Sequence, residues 1–445
     1  MKKMKKKLLA ILMGISMIFS SLSSGLYTVE AASVVGSLNG RRYTDFEDML
    51  EDLEDDYAGR SVTIEMLRDW DAGVDSDFDE RIIIPSNCRA VLNMNGRVFD
   101  RNLNYDDDWS FNGELICMES ASSLTINGGD PNAFHWKRVY DSTDGGRESV
   151  ETTLYGGILT GGSSTNGSGG IHIKDNCTLT LNNVTIAGCR SECPWYDSAG
   201  TKSGYGAGIW IKGSNTTVTL NNSTITGCHS QLDGAGIFAS NVNNVTLNLN
   251  NSHIDKNYSR DDGGGINMDG EELIIKGDGK STVSNNVASD IGGGLYIWND
   301  EVTVSGLIID SNRANQGGGI YTQEEDVILS NLTITNNTAT DKGGGIFINN
   351  DGNIIQDCVI TGNTNYGVYV ESDVDEEFAV NGNTIIKDNS KGNLTLQNSS
   401  SYVQFALYDD ADVHLGYVEN PDPYARISPE TATDNRYYLT AVTVQ

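Results

Sequence analysis

The 445-residue chain has few of the residues that mark a metal centre, a nucleic-acid surface or a linker. It holds 6 Pro, 5 His and 7 Cys, and its 30 Lys and Arg face 61 Asp and Glu, for a formal net charge of −31. The shortage of cations argues against nucleic acid as the main partner, because phosphate binding needs clustered positive charge. The few Pro exclude a collagen or Pro-rich linker composition. The few His and Cys leave little material for a metal site built from those ligands.

Long apolar runs are also scarce, and the clearest one lies at the start of the chain. Five lysines precede an apolar run over residues 8–19, and small residues follow it up to Ala31 and Ala32. This order is typical of a secretory signal peptide, here residues 1–32. A retained membrane anchor is disfavoured because the run is too short to span a bilayer. We therefore expect a secreted protein, extracellular or associated with a cell surface, with no transmembrane segment after signal removal.

Glycine is abundant, with 50 residues, and it introduces a repeated strand pattern. The Gly-led strands have an aliphatic residue on each side of a central residue in most copies. The central residues are His172, Trp210, Phe238, Asn267, Tyr296, Tyr321, Phe347 and Tyr369. Two more alternating strands and a turn follow each copy. The turn position is occupied by Cys189, Cys228, Asn257, Asn286, Asn312, Asn337, Asn363 and Asn389.

Three short alternating strands per repeat of 25–29 residues predict an all-β protein in which each repeat is one coil of a parallel β-solenoid. A single coil cannot bury its apolar side, so the coils must stack. The column from Asn257 to Asn389 is predicted to be a structural ladder, because Asn tolerates left-handed turns and stacked amides can hydrogen-bond along the axis. Phosphate binding by the glycines is disfavoured because no helix pattern follows them.

The order GGGI, strand, strand, (I/V)xxN and turn resembles the right-handed parallel β-helix repeat proteins of bacterial surfaces. It is most similar to the GGA(I/L/V)…FxxN repeats of polymorphic outer membrane proteins, although Ile or Val stands here where that family has Phe. The resemblance covers about residues 156–390 and implies a right-handed, single-stranded parallel β-helix. It implies little about activity, because the same scaffold carries lyases, glycoside hydrolases and adhesins.

The ends of the solenoid are predicted to differ from its middle. Residues 33–80 are interpreted as an N-terminal cap with an α-helix over residues 44–56, where Thr44 and Glu47 have capping-box spacing. Phe46, Met49, Leu50 and Leu53 fall on one face of that helix. Residues 81–390 are assigned to the β-helix, with insertions near 128–155 and 191–205, and residues 391–445 to a C-terminal cap or small β module. The insertions either carry function or cover apolar surface.

The odd cysteine count leaves the disulfide pattern open. Cys189 and Cys228 share the turn position on successive coils, at a spacing of about 4.8 Å that a disulfide can bridge. Cys193, in the neighbouring insertion, competes for either partner.

The central residues of the first strands are predicted to point outward. Six of these eight residues are aromatic, and Trp298 follows two residues after Tyr296. Such a strip on a surface that faces water would suit sugar rings or a protein partner. The ligand-binding prediction comprises Trp210, Phe238, Tyr296, Trp298, Tyr321, Phe347 and Tyr369. The alternative is that the aromatic residues pack on each other or beneath an insertion.

An acidic turn lies beside this strip. Asp300, Glu301, Glu324 and Asp326 belong to it and are candidate Ca²⁺ ligands, since a cation would relieve the repulsion between stacked charges. The alternative is a solvated anionic edge. Ca²⁺ is thus the one cofactor that the sequence suggests, and none is required.

The evidence for catalysis is weaker. Lys174 and Lys212 occupy equivalent positions on successive coils, next to His172 and Trp210, and would suit an anionic sugar in a lyase. Asp261 and Asp262 form an acidic pair beside a Gly anchor, but the supporting segments of the polygalacturonase-like family are absent. The catalytic candidates are therefore Lys174, Lys212 and His172.

The first hypothesis is a secreted or cell-surface β-helix, without catalysis, that binds a polysaccharide or a surface partner through the aromatic strip. The alternative is a polysaccharide lyase or glycoside hydrolase that acts on an acidic polysaccharide.

Overall fold

The computed structural model describes residues 34–71, 81–103, 113–145, 149–164, 167–191, 204–350, 352–371, 378–396, 402–407, 412–413 and 426–427. The predicted signal peptide, most of the insertion at 191–205 and most of residues 391–445 lie outside these ranges. None of the helices in the described ranges has the length and apolar character needed to cross a membrane.

Successive coils place their strands in parallel columns, each strand paired with its equivalents in the coils before and after it. Column 1 contains Ile82–Ile84, Ile116–Met118, Ile171–Ile173, Ile209–Ile211, Leu295–Ile297, Ile320–Thr322, Ile346–Ile348, Tyr366–Val370 and Gly392–Leu396. Column 2 contains Ser61–Met66, Arg89–Asn93, Ser123–Asn127, Thr178–Asn182, Thr216–Asn221, Thr303–Ser305, Ile328–Ser330, Ile354–Gln356, Phe378–Gly382, Tyr402–Leu407 and Arg426–Ile427. Two long strands, Ile237–Asn250 and Ile266–Gly277, run through both columns.

Two further columns complete each coil. Column 3 contains Trp70–Asp71, Val98–Asp100, Gly157–Thr160, Val184–Ala187, Thr224–Thr226, His253–Asp255, Thr282–Ser284, Ile308–Asp310, Thr333–Thr335, Val359–Thr361, Ile385–Lys387 and Asp412–Val413. Column 4 is short and contains Ser163–Ser164, Arg190–Ser191, His229–Ser230, Tyr258–Ser259, Val287–Ala288, Arg313–Gln316 and Thr338–Lys342. The parallel solenoid is confirmed, with a fourth short strand that the three-strand repeat did not predict.

The core of the solenoid consists of stacked aliphatic side chains. In one coil, Ile320, Val327, Leu329, Leu332 and Ile334 are all buried, and they belong to one apolar cluster that continues through the neighbouring coils. Each fully buried aliphatic side chain contributes about 1.5–3 kcal/mol relative to an exposed one. Because inward residues alternate with outward ones along each strand, the same pattern also fixes the register.

The asparagine ladder is confirmed at the turn before column 4. Asn257, Asn286, Asn312, Asn337, Asn363 and Asn389 are joined in sequence, each Nδ2 donating to the Oδ1 of the next at 3.0–3.1 Å. Asn312 shows the full pattern: its Nδ2 also donates to the carbonyl of Val283, and its Oδ1 accepts the backbone N–H of Asn286. The amides from Asn257 to Asn363 are buried, so each of these ladder positions satisfies groups that water cannot reach.

A second amide ladder, which the repeat pattern did not predict, lies at the end of column 2. Asn127 donates to Asn93, Asn182 to Asn127, Asn221 to Asn182 and Asn250 to Asn221, at 2.8–2.9 Å. These residues are partly exposed rather than buried. The sequence signal for this ladder was the Asn that recurs at the end of the second strand in these repeats, which the sequence analysis did not single out.

The predicted N-terminal helix is present over Phe46–Asp56. Its buried residues are Phe46, Met49, Leu50 and Leu53, as the periodicity predicts, and they join the core cluster. The N-cap is Asp45 rather than Thr44, because the Asp45 side chain accepts the N–H of Glu47 at 2.9 Å. That this helix seals the end of the solenoid stays a prediction.

The predicted limits of the β-helix at residues 81 and 390 both fall inside the stacked columns. Ser61–Met66 already pairs in parallel with Arg89–Asn93, and Tyr366–Val370 pairs onward with Gly392–Leu396. The terminal coils lack the glycine and asparagine signals, although they bury apolar residues in the same way. The repeat motif therefore marks only the regular part of the solenoid.

The disulfide considered between Cys189 and Cys228 is absent. Both residues are buried free thiols at the predicted turn position. Each thiol instead contacts the carbonyl oxygen two residues before it. Cys189 Sγ lies 3.7 Å from the oxygen of Ala187, and Cys228 Sγ lies 3.6 Å from that of Thr226. Cys193 lies outside the described residues.

Replacing Asn312 by Leu should lower the free energy of unfolding, because it leaves buried partners on both neighbouring coils unsatisfied at a cost of about 1–3 kcal/mol each. The matched control is Asn221→Leu in the partly exposed second ladder, where water can replace the lost partner. Thermal and urea unfolding of both variants should show a clearly larger loss for Asn312→Leu. Equal losses would show that burial does not set the value of the ladder.

Candidate active site

The central residues of column 1 form a continuous outward stack. His172 pairs with Trp210, Trp210 with Phe238, Tyr296 with Tyr321 and Phe347 with Tyr369. The His172 and Trp210 rings stack at a centroid distance of 4.7 Å, as do those of Tyr321 and Phe347. The predicted column and its direction away from the core are confirmed.

The expected exposure of this strip is wrong. Trp210, Phe238, Tyr296, Tyr321, Phe347 and Tyr369 are only 0–6% exposed. The reason is the corner that leads from column 4 into column 1, which lies directly on the rings. At Gly292, φ is +65° and an added Cβ would come within 2.7 Å of Tyr296 Cβ, so only glycine permits this approach. Trp298, at 49%, is the member of the predicted ligand-binding set that stays exposed.

The predicted basic residues lie at the N-terminal end of this stack. Lys174 Nζ contacts both carboxylate oxygens of Glu119, at 2.6 and 2.7 Å, and Lys212 Nζ lies 4.7 Å from the centroid of the Trp210 ring. Burial and the charges of Lys174, Lys212 and Arg81 lower the pKa of His172 to about 4. His172 is therefore neutral at pH 7 and a weak base, which makes it a poor catalyst of proton abstraction.

His172 also lies near two other groups that can bind metals. One ligand atom each of Glu114, Cys117 and His172 lie within 4.8 Å of one another. Glu114 is already ion-paired with Arg81, and burial raises the pKa of the Cys117 thiol to about 12. A protonated thiol and a paired carboxylate are weak metal ligands.

The structure does not gather the candidate Ca²⁺ ligands of the acidic turn into one cluster. Among the described residues, Asp300, Glu301, Glu324 and Asp326 do not approach one another closely enough to share an ion. Instead, Asp300 accepts the backbone N–H of Glu325 at 3.1 Å, and Glu324 accepts from the Asn350 amide at 3.3 Å. These carboxylates hydrogen-bond to neighbouring coils, which keeps them apart.

Carboxylates converge on a different corner, between columns 4 and 1. One oxygen each of Asp261, Asp262 and Asp290 lie within 4.8 Å of one another, and Asp233 precedes them by one coil. Burial, followed by the charges of Asp233, Asp261 and Asp290, raises the pKa of Asp262 to about 8. Asp262 is thus a carboxylic acid at neutral pH, beside exposed carboxylate Asp290.

Beneath this corner lies the one polar residue among the central residues from Trp210 to Tyr369. Asn267 takes the place between Phe238 and Tyr296, and its Cβ lies against Gly263, the residue after Asp262. Asn267 is 2% exposed and its Oδ1 has no hydrogen-bond partner. Burial and the charges of Asp262, Asp233 and Asp269 raise the pKa of Tyr296, so its phenol remains a proton donor.

An exposed ring lies beside Tyr296 on the outer side of column 1. Trp298 meets the Tyr296 ring edge-on at 5.8 Å, and its neighbour Asn299 donates to Asp269 at 3.0 Å. The outer side of column 1 thus carries the carboxyl groups of the corner, the buried Asn267 amide and Tyr296 phenol, and the exposed Trp298 ring. We call this stretch of surface the groove.

The family model for the right-handed beta helix region matches residues 267–407, about a third of the chain. The chain folds as a right-handed parallel β-helix. No curated protein matches it at a significant level. The narrower resemblance to polymorphic outer membrane proteins stays a prediction.

Three solved structures are similar to this β-helix at low sequence identity. The first is the tailspike protein gp49 of Acinetobacter baumannii bacteriophage Fri1, a capsular polysaccharide depolymerase, at 13% identity and a TM-score of 0.33, over 75% of this chain and 58% of that one. The second is a hyperthermoactive exopolygalacturonase of Thermotoga maritima, at 11% identity and a TM-score of 0.28, over 80% and 88%. The third is the A-module of the mannuronan C-5 epimerase AlgE6 of Azotobacter vinelandii, at 13% identity and a TM-score of 0.24, over 73% and 82%. The present chain thus spans 58% of the tailspike chain.

Replacing Phe347 by Ala should destabilise the β-helix by about 3–5 kcal/mol, as deletions of buried aromatic rings do. Trp298→Ala is the control at the exposed end of the same surface, and it should change stability by no more than about 0.5 kcal/mol. Urea unfolding measures both. A small effect at Phe347 would mean that the aromatic strip is exposed in solution and open to a ligand, as the sequence analysis predicted.

Proposed function

We propose that the protein is a glycoside hydrolase whose reaction centre is the corner formed by Asp233, Asp261, Asp262 and Asp290. The observation that carries the proposal is the convergence of these carboxyl groups around the half-buried Asp262, with the exposed Trp298 on the same outer side of column 1. Export through the predicted signal peptide would expose this groove to extracellular polysaccharides.

Hydrolysis of a glycosidic bond needs a carboxylic acid and a carboxylate on opposite sides of the bond. Asp262 supplies the acid, which protonates the departing oxygen, because burial and then the charges of its neighbours keep it protonated at neutral pH. Asp290 supplies the carboxylate from the next coil and is the exposed member of the group. One oxygen of Asp262 and one of Asp290 lie within 4.8 Å of each other. Inverting enzymes keep their two carboxyl groups about 6.5–9.5 Å apart to admit a water molecule, so we assign a retaining mechanism with Asp290 as the nucleophile.

The groove also has the means to bind the sugar. Trp298 offers a flat apolar face on which a pyranose ring can stack.

The same geometry favours hydrolysis over elimination and a neutral sugar at the cleaved bond. A lyase needs a free cation or base beside the uronate, but Lys174 is held by Glu119 and His172 is weakly basic. The three carboxyl groups around Asp262 would repel an anionic sugar ring. Acidic units of a polymer could still lie two coils away, near Lys212.

Activity should depend on pH through Asp262. The acid form is present below a pKa of about 8, so hydrolysis should fall as the pH rises through that value. Asp262→Asn should reduce turnover at pH 7 by at least about 100-fold, the scale of general acid catalysis. Release of reducing ends from neutral and acidic polysaccharides measures this, while absorbance of unsaturated ends reports elimination.

The matched control is Asp341→Asn, which changes an aspartate at the equivalent corner two coils beyond Asp290. It should leave turnover unchanged. Activity in Asp262→Asn equal to that of the wild type, or a product with unsaturated ends, would contradict the hydrolase. Assays with added Ca²⁺ and with a chelator test whether the aspartates bind a cation instead.

Asp262 should also make stability depend on pH. It keeps its proton up to a pKa of about 8 when folded, against an ordinary value of 3.8. Its contribution to the free energy of unfolding is thus fully present below pH 3.8 and is lost as the pH rises through about 8. Asp262→Asn cannot ionise, so its melting temperature should exceed that of the wild type at pH 8.5 but not at pH 4. The same difference at both pH values would show that Asp262 does not titrate in this range.

A further inference from the structure

The insertion at 128–155 is a β-hairpin fixed to the side of the solenoid. Phe134–Tyr140 and Ser149–Tyr155 pair antiparallel over seven residues. On its inner side, Val139 and Leu154 pack with Val98, Ile158 and Ala187. The backbone N–H of Tyr140 donates to the carbonyl of Gly227 at 3.0 Å, and Ser142 Oγ donates to that of Asn285 at 3.1 Å. The hairpin is therefore a rigid support rather than a loose loop.

The outer side of the hairpin carries a concentration of exposed rings. Phe134, Trp136 and Tyr155 are 62%, 67% and 57% exposed. Phe134 is directly opposite Tyr155, and Trp136 follows two residues along the same strand, so the three rings share one face. Among the described residues, four of the seven exposed large apolar side chains belong to this hairpin. Rings held in water in this way mark a contact surface.

A cleft of about 240 Å³ opens beside Trp136, between the hairpin and the ends of two column 3 strands. Its lining comprises Asp100, Asn102, Trp136, Lys137, Arg138, Glu151 and Thr160. Lys137 Nζ pairs with Asp100 at 2.6 Å, and Arg138 is opposite Glu151 in the hairpin register. The cleft thus offers donors and acceptors around one aromatic wall, the composition of a small-ligand site.

We propose that this hairpin is a carbohydrate-binding site for a neutral glycan, separate from the groove at Asp262. One sugar unit occupies the cleft against Trp136, and its neighbours in the polymer lie on Phe134 and Tyr155. The two cations and two carboxylates of the cleft balance each other, so no charge remains to select a uronate or an amino sugar. Hydroxyl groups suit such mixed donors and acceptors, and the apolar faces of sugar rings suit the exposed aromatic rings.

The site lies on a different side of the coil from the groove. The cleft lies at the ends of two column 3 strands, Val98–Asp100 and Gly157–Thr160, whereas Asp262 and Trp298 flank the outer side of column 1 several coils further along the chain. It therefore holds a polymer without blocking the groove. The proposal does not depend on hydrolysis, because binding can be measured on a protein that does not cleave.

The experiment uses the full chain carrying Asp262→Asn, with and without Trp136→Ala. Native affinity electrophoresis in gels containing soluble β-glucan, galactomannan, dextran, polygalacturonate or alginate measures binding. We expect at least one neutral polymer to retard the protein, and Trp136→Ala to weaken that binding about tenfold. Phe134→Ala and Tyr155→Ala should each weaken it severalfold. Since all three rings are exposed, melting temperatures should hardly change.

Val150→Ala is the matched control, because Val150 is an exposed apolar residue on the same hairpin and does not line the cleft. It should bind like its parent. Equal binding by Trp136→Ala and Val150→Ala, or retardation only by the two acidic polymers, would overturn the proposal. The proposal would also be overturned if light scattering showed a dimer that Trp136→Ala converts to a monomer, because the rings would then bind a second copy of the chain. A wild-type chain that binds a neutral polymer but releases no reducing ends from it would contradict only the proposed reaction centre.

Discussion

Hydrogen bonding between identical positions of successive coils is the interaction on which the rest of this structure depends. Parallel strands stack at about 4.8 Å, so each side chain has its own equivalent above and below it. Where that equivalent is another amide, as from Asn257 to Asn389, stacking satisfies buried groups. Where it is another ring, as from Tyr321 to Phe347, stacking buries apolar surface. Both favour long runs of one residue type.

The same constraint makes stacked carboxylates unfavourable, and this gives the corner at Asp262 its character. The residue equivalent to Asp262 is Ile291 in the following coil, Gln316 in the next one and Lys342 in the one after that. At this corner, acids accumulate at Asp233, Asp261, Asp262 and Asp290. Repulsion is relieved by protonation, so the geometry that destabilises the corner also holds an acid at neutral pH. Strain of this kind, retained in a regular scaffold, is typical of functional sites.

The groove at Asp262 and the hairpin depart from the repeat in different ways. The groove substitutes residues at existing positions, with Asn267 in an aromatic column and aspartates in a corner. The hairpin adds a new element between columns 2 and 3 without disturbing their register. Substitution gives a narrow, partly buried site, while insertion gives an open platform. The first suits chemistry on one bond, and the second suits attachment to a polymer.

The sequence by itself determined the solenoid, its buried aliphatic positions, the Asn257–Asn389 ladder and the outward direction of the aromatic column, because each of these recurs at a fixed interval. It also located the helix, from the spacing of its apolar residues, and the insertion at 128–155, from the break in the repeat. It could not determine how far the corner backbone covers Tyr296 and Phe347, nor that Asp290 joins Asp261 and Asp262 from the next coil. Burial and convergence depend on the path of segments distant in the chain. A periodic pattern specifies what lies above and below each residue, and only the tertiary structure decides what lies beside it.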